Sequence, residues 1–359
     1  MIKFIPCLIM ALAVGFASAE RLTQRNYLRL MSPGINLGNT LEAVPTATSW
    51  GNPEPSLKLM RSIRAAGFRS IRIPAAWSQY SDSEHKIDSK WMAHVTGVVK
   101  MARKANLYVL LNVHWDGGWL QPTYERRVST ERRLRRFWTQ IATNFSAFDE
   151  GLLFAGTNEV HVEGQYGPPT AENEEVQNGF NQIFIETVRA TGGKNRNRFL
   201  VIQSYNTDID AAVKSNAVMP RDTVKGRLMM EVHFYSPYNF TLNEKSKIWQ
   251  WGATAKDPAA TETWANESYI DSQFQKVRTT FVDNGVPVLL GEYGVGLKPN
   301  FPAMVEYQKL WEQYVTDSAM RHGMVPMYWD IGAGIGMFDR STGSQRNPDQ
   351  VSWLVKAGS

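Results

Sequence analysis

The sequence predicts an α/β chain folded as a (β/α)8 TIM barrel in a single domain. Three observations predict it. Eight short apolar runs, each bounded by polar or turn residues, read as buried strands of a parallel sheet. Helical segments separate successive runs, as strand–helix alternation in a parallel sheet requires. Polar or aromatic side chains recur at the C-terminal ends of the runs, where such a barrel carries its functional groups. The chain has 359 residues, enough for one large α/β domain with long loops. An open, doubly wound sheet is the rival. It needs a Gly-rich phosphate turn after the first strand, and Gly34-Ile35-Asn36-Leu37-Gly38-Asn39 lacks that spacing.

Residues 1–19 stand apart as a signal peptide: Lys3, an apolar run from Phe4 to Phe16, then Ala17-Ser18-Ala19 as a small-residue cleavage pattern. Residues 20–359 are the expected barrel domain, secreted or periplasmic after cleavage. The apolar run is too short for a membrane span, so no membrane association is expected once it is removed. Cys7, the single cysteine, lies in the signal segment, which leaves the exported chain without a disulfide or cysteine metal site. The formal charge of +5 is spread along the chain. The one basic cluster, Arg132-Arg133-Leu134-Arg135-Arg136, falls on the outer face of an amphipathic helix, so a nucleic-acid partner is not expected.

The first strand is Gly34–Gly38. A helix from Pro55-Ser56 to Ala66-Gly67 follows, stopped by glycine. Ser70–Pro74 is the second strand. Trp91, Val95, Val98, Val99 and Ala102 then mark one helical face. Tyr108–His114 is the third strand, and the loop after it carries Trp115 and Trp119. Leu134, Phe137, Trp138, Ile141 and Phe145 trace the next helix. Leu152–Glu159 is the fourth strand, ending on a carboxylate. Val176, Phe180, Ile183, Phe184 and Val188 face a helix that stops at Gly192-Gly193. Phe199–Gln203 is the fifth strand, followed by a short or irregular helix, and Leu228–Tyr235 is the sixth. A long connection bearing Trp249, Trp251 and Trp264 is expected to wall an open cleft. A helix around Tyr269–Asp283 precedes the seventh strand, Pro287–Gly294, which delivers a second carboxylate, Glu292. A helix from Phe301 to His322 leads to the eighth strand, Met324–Asp330.

A carboxylate at the end of an apolar strand is costly to desolvate without a partner. Glu159 and Glu292 share that design, which suggests a pair meeting across one site. The other strand ends add Asn36, Asn39, Arg72, His114, Asn158, His233, Tyr235 and Trp329. Each has a plain reading as a packed or capping residue, but one mouth collecting all of them argues for a site.

In this order the motifs Gly34-Ile35-Asn36-Leu37-Gly38-Asn39-Thr40-Leu41-Glu42, Ser70-Ile71-Arg72-Ile73-Pro74, Asn112-Val113-His114, Asn158-Glu159, His233-Phe234-Tyr235, Gly291-Glu292-Tyr293-Gly294 and Tyr328-Trp329-Asp330 resemble glycoside hydrolase family 5, a cellulase family of retaining glycosidases. The resemblance implies that Glu159 is the general acid/base and Glu292 the nucleophile. It implies supporting roles for Arg72, His114, Asn158, His233 and Tyr235, and sugar contacts by Trp329, Asn39 and Glu42. Trp115 and Trp119 offer further stacking surfaces. The implied activity is retaining endo-β-1,4-glucanase on a β-glucan polysaccharide or oligosaccharide. No cofactor and no metal are implied, and the chain is expected to be a monomer. Val160 stands where many relatives have Pro, Ala155 where many have Glu, and Trp115 where many have a second His. These departures remove no catalytic group and keep mannan, mixed-linkage glucan and xyloglucan open as substrates; a non-catalytic glycan-binding protein is the rival from another class, and it is expected to lack one of the two Glu.

Overall fold

The computed structural model describes residues 20–214 and 219–359; the signal-peptide expectation concerns residues outside them. Eight parallel strands close a barrel in sequence order. They are β1 (Gly34–Asn36), β2 (Ser70–Ile73), β3 (Tyr108–Asn112), β4 (Leu152–Ala155), β5 (Leu200–Gln203), β6 (Leu228–His233), β7 (Val288–Glu292) and β8 (Met324–Tyr328). Helix α1 (Tyr27–Met31) precedes β1. The helices α2 (Leu57–Ala66), α3 (Ser89–Lys104), α4 (Tyr124–Asn144), α5 (Ala171–Ala190) and the short α6 (Ile209–Lys214) follow the first five strands in turn. Between β6 and β7 lie α7 (Tyr238–Thr241) and α8 (Glu267–Thr280); α9 (Met304–Arg321) precedes β8 and α10 (Pro348–Ala357) follows it. The (β/α)8 expectation holds. Helices α1 and α10 fall outside the sequence reading, the first because five residues leave no periodic signal.

Local chemistry sets the helix ends. The Ser56 hydroxyl accepts the Leu59 N–H at the start of α2, and Gly67 closes it at φ 118°. That left-handed backbone costs glycine nothing.

Strand alternation sorts the side chains into two layers. Outward residues such as Ile71, Val109, Phe154 and Leu290 pack beneath the helices. Inward, the lower barrel is apolar: Leu110, Leu153, Val201, Met229, Leu289 and Met327 cluster together, closed from below by Leu22, Tyr27 and Met31. Nearer the C-terminal ends the inward positions turn polar while staying buried: Asn36, Arg72, Asn112, Gln203 and Glu231. A buried polar layer of this kind persists only if its members satisfy one another.

Alternation breaks once where it matters. Val232 pairs with Leu290, but His233 pairs with Glu292, so Gly291 is the extra residue of an irregularity in β7. Leu289 faces the barrel interior. Strict alternation would turn Glu292 outward; the extra residue resets the parity and aims it into the mouth. Among the described residues no helix is long and apolar enough to cross a membrane.

Candidate active site

Arg72 is the hub of the polar layer, with 0% of its side chain exposed. Nη1 donates to Glu292 Oε1 at 2.8 Å and to Asn36 Oδ1 at 3.0 Å, and Nη2 donates to Asn158 Oδ1. Nε lies 2.8 Å from Glu231 Oε1, an ion pair by distance whose N–H does not point along it. Asn36 is fixed from its other end, since its amide donates to the carbonyls of Gly291, Met327 and Tyr328. The guanidinium is thus held by β1 and β6 while serving groups on β7 and after β4.

Glu159 sits just past β4 at φ 47°, a left-handed conformation uncommon for a non-glycine residue. Its N–H donates to Gln203 Oε1 at 3.2 Å, and its carbonyl accepts from His161 Nδ1 at 2.6 Å. Its carboxylate meets His233 Nδ1 at 2.6 Å. Across the mouth, Glu292 receives the Tyr235 hydroxyl at 3.2 Å besides Arg72. One carboxyl oxygen of each Glu and a ring nitrogen of His233 all lie within 4.8 Å of one another. Retaining glycosidases hold their carboxyls about 5–5.5 Å apart, inverting ones roughly 6.5–9.5 Å. The closest approach here, within 4.8 Å, is shorter than the inverting range. The three groups are also metal-ligand types, but each is already engaged by a protein partner.

The electrostatics follow from burial and these contacts. Burial opposes charge on Glu159, but the hydrogen bond and charge of His233 prevail and hold its carboxyl below the ordinary value. Burial pushes Glu292 up, against the pull of His233 and Arg72. Burial also works against charge on His233, yet Glu292, Glu159 and Glu231 together raise it to about 9. Glu231 is desolvated too, but Arg72 and His233 bring it down to about 2. Burial beside Glu292 keeps the Tyr235 phenol protonated, well above its usual range. Three carboxyl groups therefore face the Arg72 guanidinium and the His233 ring.

His114 is the contrasting case. Burial, then the charges of Arg72 and His233, hold its pKa well below 6.5. Asn112 accepts the Ala75 N–H through Oδ1, so its amide nitrogen faces His114 Nδ1 at 3.1 Å. The neutral ring therefore carries its proton on Nε2. His114 stacks nearly parallel to Trp329, with centroids 5.9 Å apart and planes at 8°. Gly38 allows this platform: a Cβ there would lie 3.1 Å from the Trp329 ring and 2.9 Å from the Asp330 carbonyl. Buried Arg340 ties the Gly38 carbonyl to that of Asp330.

Arg72, His114, Asn158, Glu159, His233, Tyr235, Glu292 and Trp329 thus gather in one mouth. Asn39 is half-buried beside it at φ 55°. Trp115 is 52% exposed on the loop after β3. Three expectations need correction. Glu42 does not face the cleft: it is buried, and its carboxylate accepts the N–H groups of Asn39 and Thr40. Trp119 packs edge-on against Phe137, with Arg133 over one face and its indole N–H on Asp116, so it serves the loop rather than a sugar. Trp251 does not wall the cleft either. Trp249 stacks on Phe301 and Trp251 is buried, donating to the Ala265 carbonyl; Trp264 is exposed but lies against Tyr269. Sequence reasoning also passed over two residues, Glu231 and Gln203. The available signal was a charged residue inside an apolar strand, two positions before His233 and therefore on the same face.

A parallel barrel whose mouth holds two facing carboxyls, a buried guanidinium and an aromatic platform defines a glycosidase-like site. The family model for cellulase (glycosyl hydrolase family 5) matches residues 35–334. The chain is 41% identical to a xyloglucan-specific endo-beta-1,4-glucanase of Bacteroides ovatus, over 93% of this chain and 70% of that protein. It is 36% identical to endoglucanase A of Paenibacillus barcinonensis, over 92% of this chain and 90% of that one. Among solved structures, a Bacteroides ovatus GH5 xyloglucanase in complex with a XXXG heptasaccharide superposes with a TM-score of 0.90 at 39% identity, covering 95% of this chain and 77% of that one. The chain belongs to glycosyl hydrolase family 5. It is a glycoside hydrolase.

Proposed function

We propose that this protein is a secreted, retaining endo-β-1,4-glucanase. The carboxyl pair carries the reading: Glu159 and Glu292 within 4.8 Å, each held by different partners. Glu292 attacks the anomeric carbon while Glu159 gives a proton to the leaving glycosidic oxygen. A covalent glycosyl-enzyme forms. Glu159 then takes a proton from water, whose oxygen attacks the same carbon and releases Glu292, so the configuration is restored. The proton that Glu159 must give is shared with His233 Nδ1 across their 2.6 Å hydrogen bond. Glu292 attacks as the carboxylate; burial works against that form, and the charges of His233 and Arg72, whose Nη1 donates to Oε1, favour it. Asn158, whose Oδ1 is taken by Arg72, directs its amide hydrogens to a sugar hydroxyl. Trp329 supports the sugar face, and neutral His114 offers its Nε2–H beside it. Secretion is supported by the n-region, apolar run and Ala17-Ser18-Ala19 of the leader.

The backbone cleaved is β-1,4-linked glucose. Xyloglucan, a branched form of that backbone, is a second reading. The Bacteroides ovatus relative favours it, being named for xyloglucan, and exposed Trp115 in the cleft-side loop is compatible with bulky substrate. Reducing-sugar release from carboxymethylcellulose, barley β-glucan, xyloglucan and mannan in parallel, with Glu292→Ala as blank, tests the class. Proton NMR of the first product anomer tests the mechanism. Release from the glucans with retention is expected. Inversion, or release from mannan alone, would overturn the proposal.

A further inference from the structure

One buried charge has no part in the mechanism above. Glu231 lies two residues before His233 on β6, fully buried, at 0% exposure. Its Oε1 faces Arg72 Nε at 2.8 Å and His233 Nε2 at 3.2 Å, and its Oε2 accepts from Gln203 Nε2 at 2.8 Å. Gln203 in turn accepts the backbone N–H of Glu159. One carboxylate therefore touches, directly or through one amide, the holders of both facing carboxyls.

The neighbouring strand is shaped around it. A Cβ at Gly291 would lie 2.1 Å from Glu231 Oε1, closer than any real contact. A side chain on the residue before Glu292 would thus displace Glu231. The extra residue that turns Glu292 inward and the space that admits Glu231 are the same glycine.

The chemistry of an imidazole supplies the rest. Which ring nitrogen carries the proton is set by what the other one meets. With Glu231 accepting at Nε2, that nitrogen keeps its hydrogen. Nδ1 is left as the site that trades a proton with Glu159. Resting on the assignment of Glu159 and Glu292 above, we propose that Glu231 is a positioning residue of the glycosidase reaction. It anchors His233 through Nε2 and pairs its charge with the Arg72 guanidinium, and so presents Nδ1 to Glu159 and Nη1 to Glu292. No bond to substrate forms at Glu231. The proton passes only between His233 Nδ1 and Glu159 Oε1.

The charged and titratable groups facing His233 are Glu231 on its own strand, Glu159 after β4, Glu292 on β7, Arg72 on β2 and His114 at the end of β3. Removing the Glu231 charge leaves two carboxyl groups facing the guanidinium and the ring. The His233 imidazolium, at about 9 in the intact cluster, then loses its proton at lower pH.

The test uses Glu231→Gln in the full chain. It compares kcat/KM against pH on a cello-oligosaccharide with kcat/KM on an aryl cellobioside carrying a good leaving group. We expect a cooperative melt, a loss of about 10²-fold on the oligosaccharide, a smaller loss on the aryl substrate, and an alkaline limb displaced to lower pH. Gly291→Ala, which keeps the Glu231 charge but pushes the carboxylate aside, provides a second route if Glu231→Gln fails to fold. It should show the same unequal loss on the two substrates. Parental limbs in Glu231→Gln, or equal losses on both substrates in the variants that fold, overturn the proposal even where kcat falls, since a merely looser site lowers both alike. Glu292→Ala separates the two layers of argument. If that variant remains active, the assignment of the reacting carboxyls fails, and not the positioning role alone.

Discussion

Replacing Arg72 with methionine keeps an unbranched side chain and deletes one charge from the middle of the barrel. The structure sets the size of the effect. The guanidinium is fully buried and lies 2.8 Å from both Glu231 and Glu292. Its loss strands two buried carboxylates, and breaking a buried pair from one side costs about 3–5 kcal/mol. At an unfolding entropy of about 2.1 cal/mol/K per residue, a chain of this size should melt roughly 4–7 °C lower. The sign with pH can be worked out. Glu231 is lowered to about 2 in the fold, so the stability it contributes is present above the unfolded-state carboxyl value of about 4.3 and fades as pH falls toward 2. The melting deficit of Arg72→Met should therefore be largest near neutral pH and shrink in acid. Arg72 also pulls Glu292 down, so the acid limb of kcat/KM should move to higher pH in the variant. Calorimetry at several pH values and a pH–rate profile on a soluble β-glucan read both effects. A variant that melts with the parent at pH 7 and keeps the parental acid limb would refute the reasoning.

Glu292→Ala should abolish hydrolysis with little change in melting temperature, since it removes one of three carboxyl groups that face the Arg72 guanidinium and the His233 ring; measurable turnover above background would contradict this. Glu159→Ala should lose far more activity on polysaccharide than on an aryl cellobioside with a good leaving group, because the latter needs little protonation. Equal losses in a kcat/KM comparison would show that Glu159 is not the acid. Trp329→Ala removes the stacking platform beside His114 and should lower kcat/KM by roughly 10-fold or more, about 1.4 kcal/mol or more of transition-state stabilisation. Unchanged kinetics on cello-oligosaccharides would place the sugar elsewhere.

The strands, their order and the two facing carboxyls were legible because one physical pattern carries them: an apolar run that ends in a charged residue is rare without a reason. Arg72 could be read the same way, from its place between Ile71 and Ile73. What escaped depended on partners distant in sequence. Glu231 gains its meaning from a missing side chain at Gly291, sixty positions away. Whether an indole waits for a sugar or seals a loop is likewise decided elsewhere, by Phe137 for Trp119 and by the Ala265 carbonyl for buried Trp251. Glu42 misled for a local reason. Its carboxylate turns back onto N–H groups two and three residues behind it, a fold-back that the motif does not announce.

The closed floor of the barrel has a practical consequence. Leu22 and Tyr27 are sealed into it, and the Tyr27 hydroxyl donates to the carbonyl of Gly323 just ahead of β8. Gly358 lies against Pro33, just ahead of β1. Glu20 and Ser359 therefore both emerge on the side away from the reacting carboxyls. An enzyme immobilised on a resin through either position, or fused there to another module, would present its cleft outward. Long polymer chains could then thread across it without meeting the support.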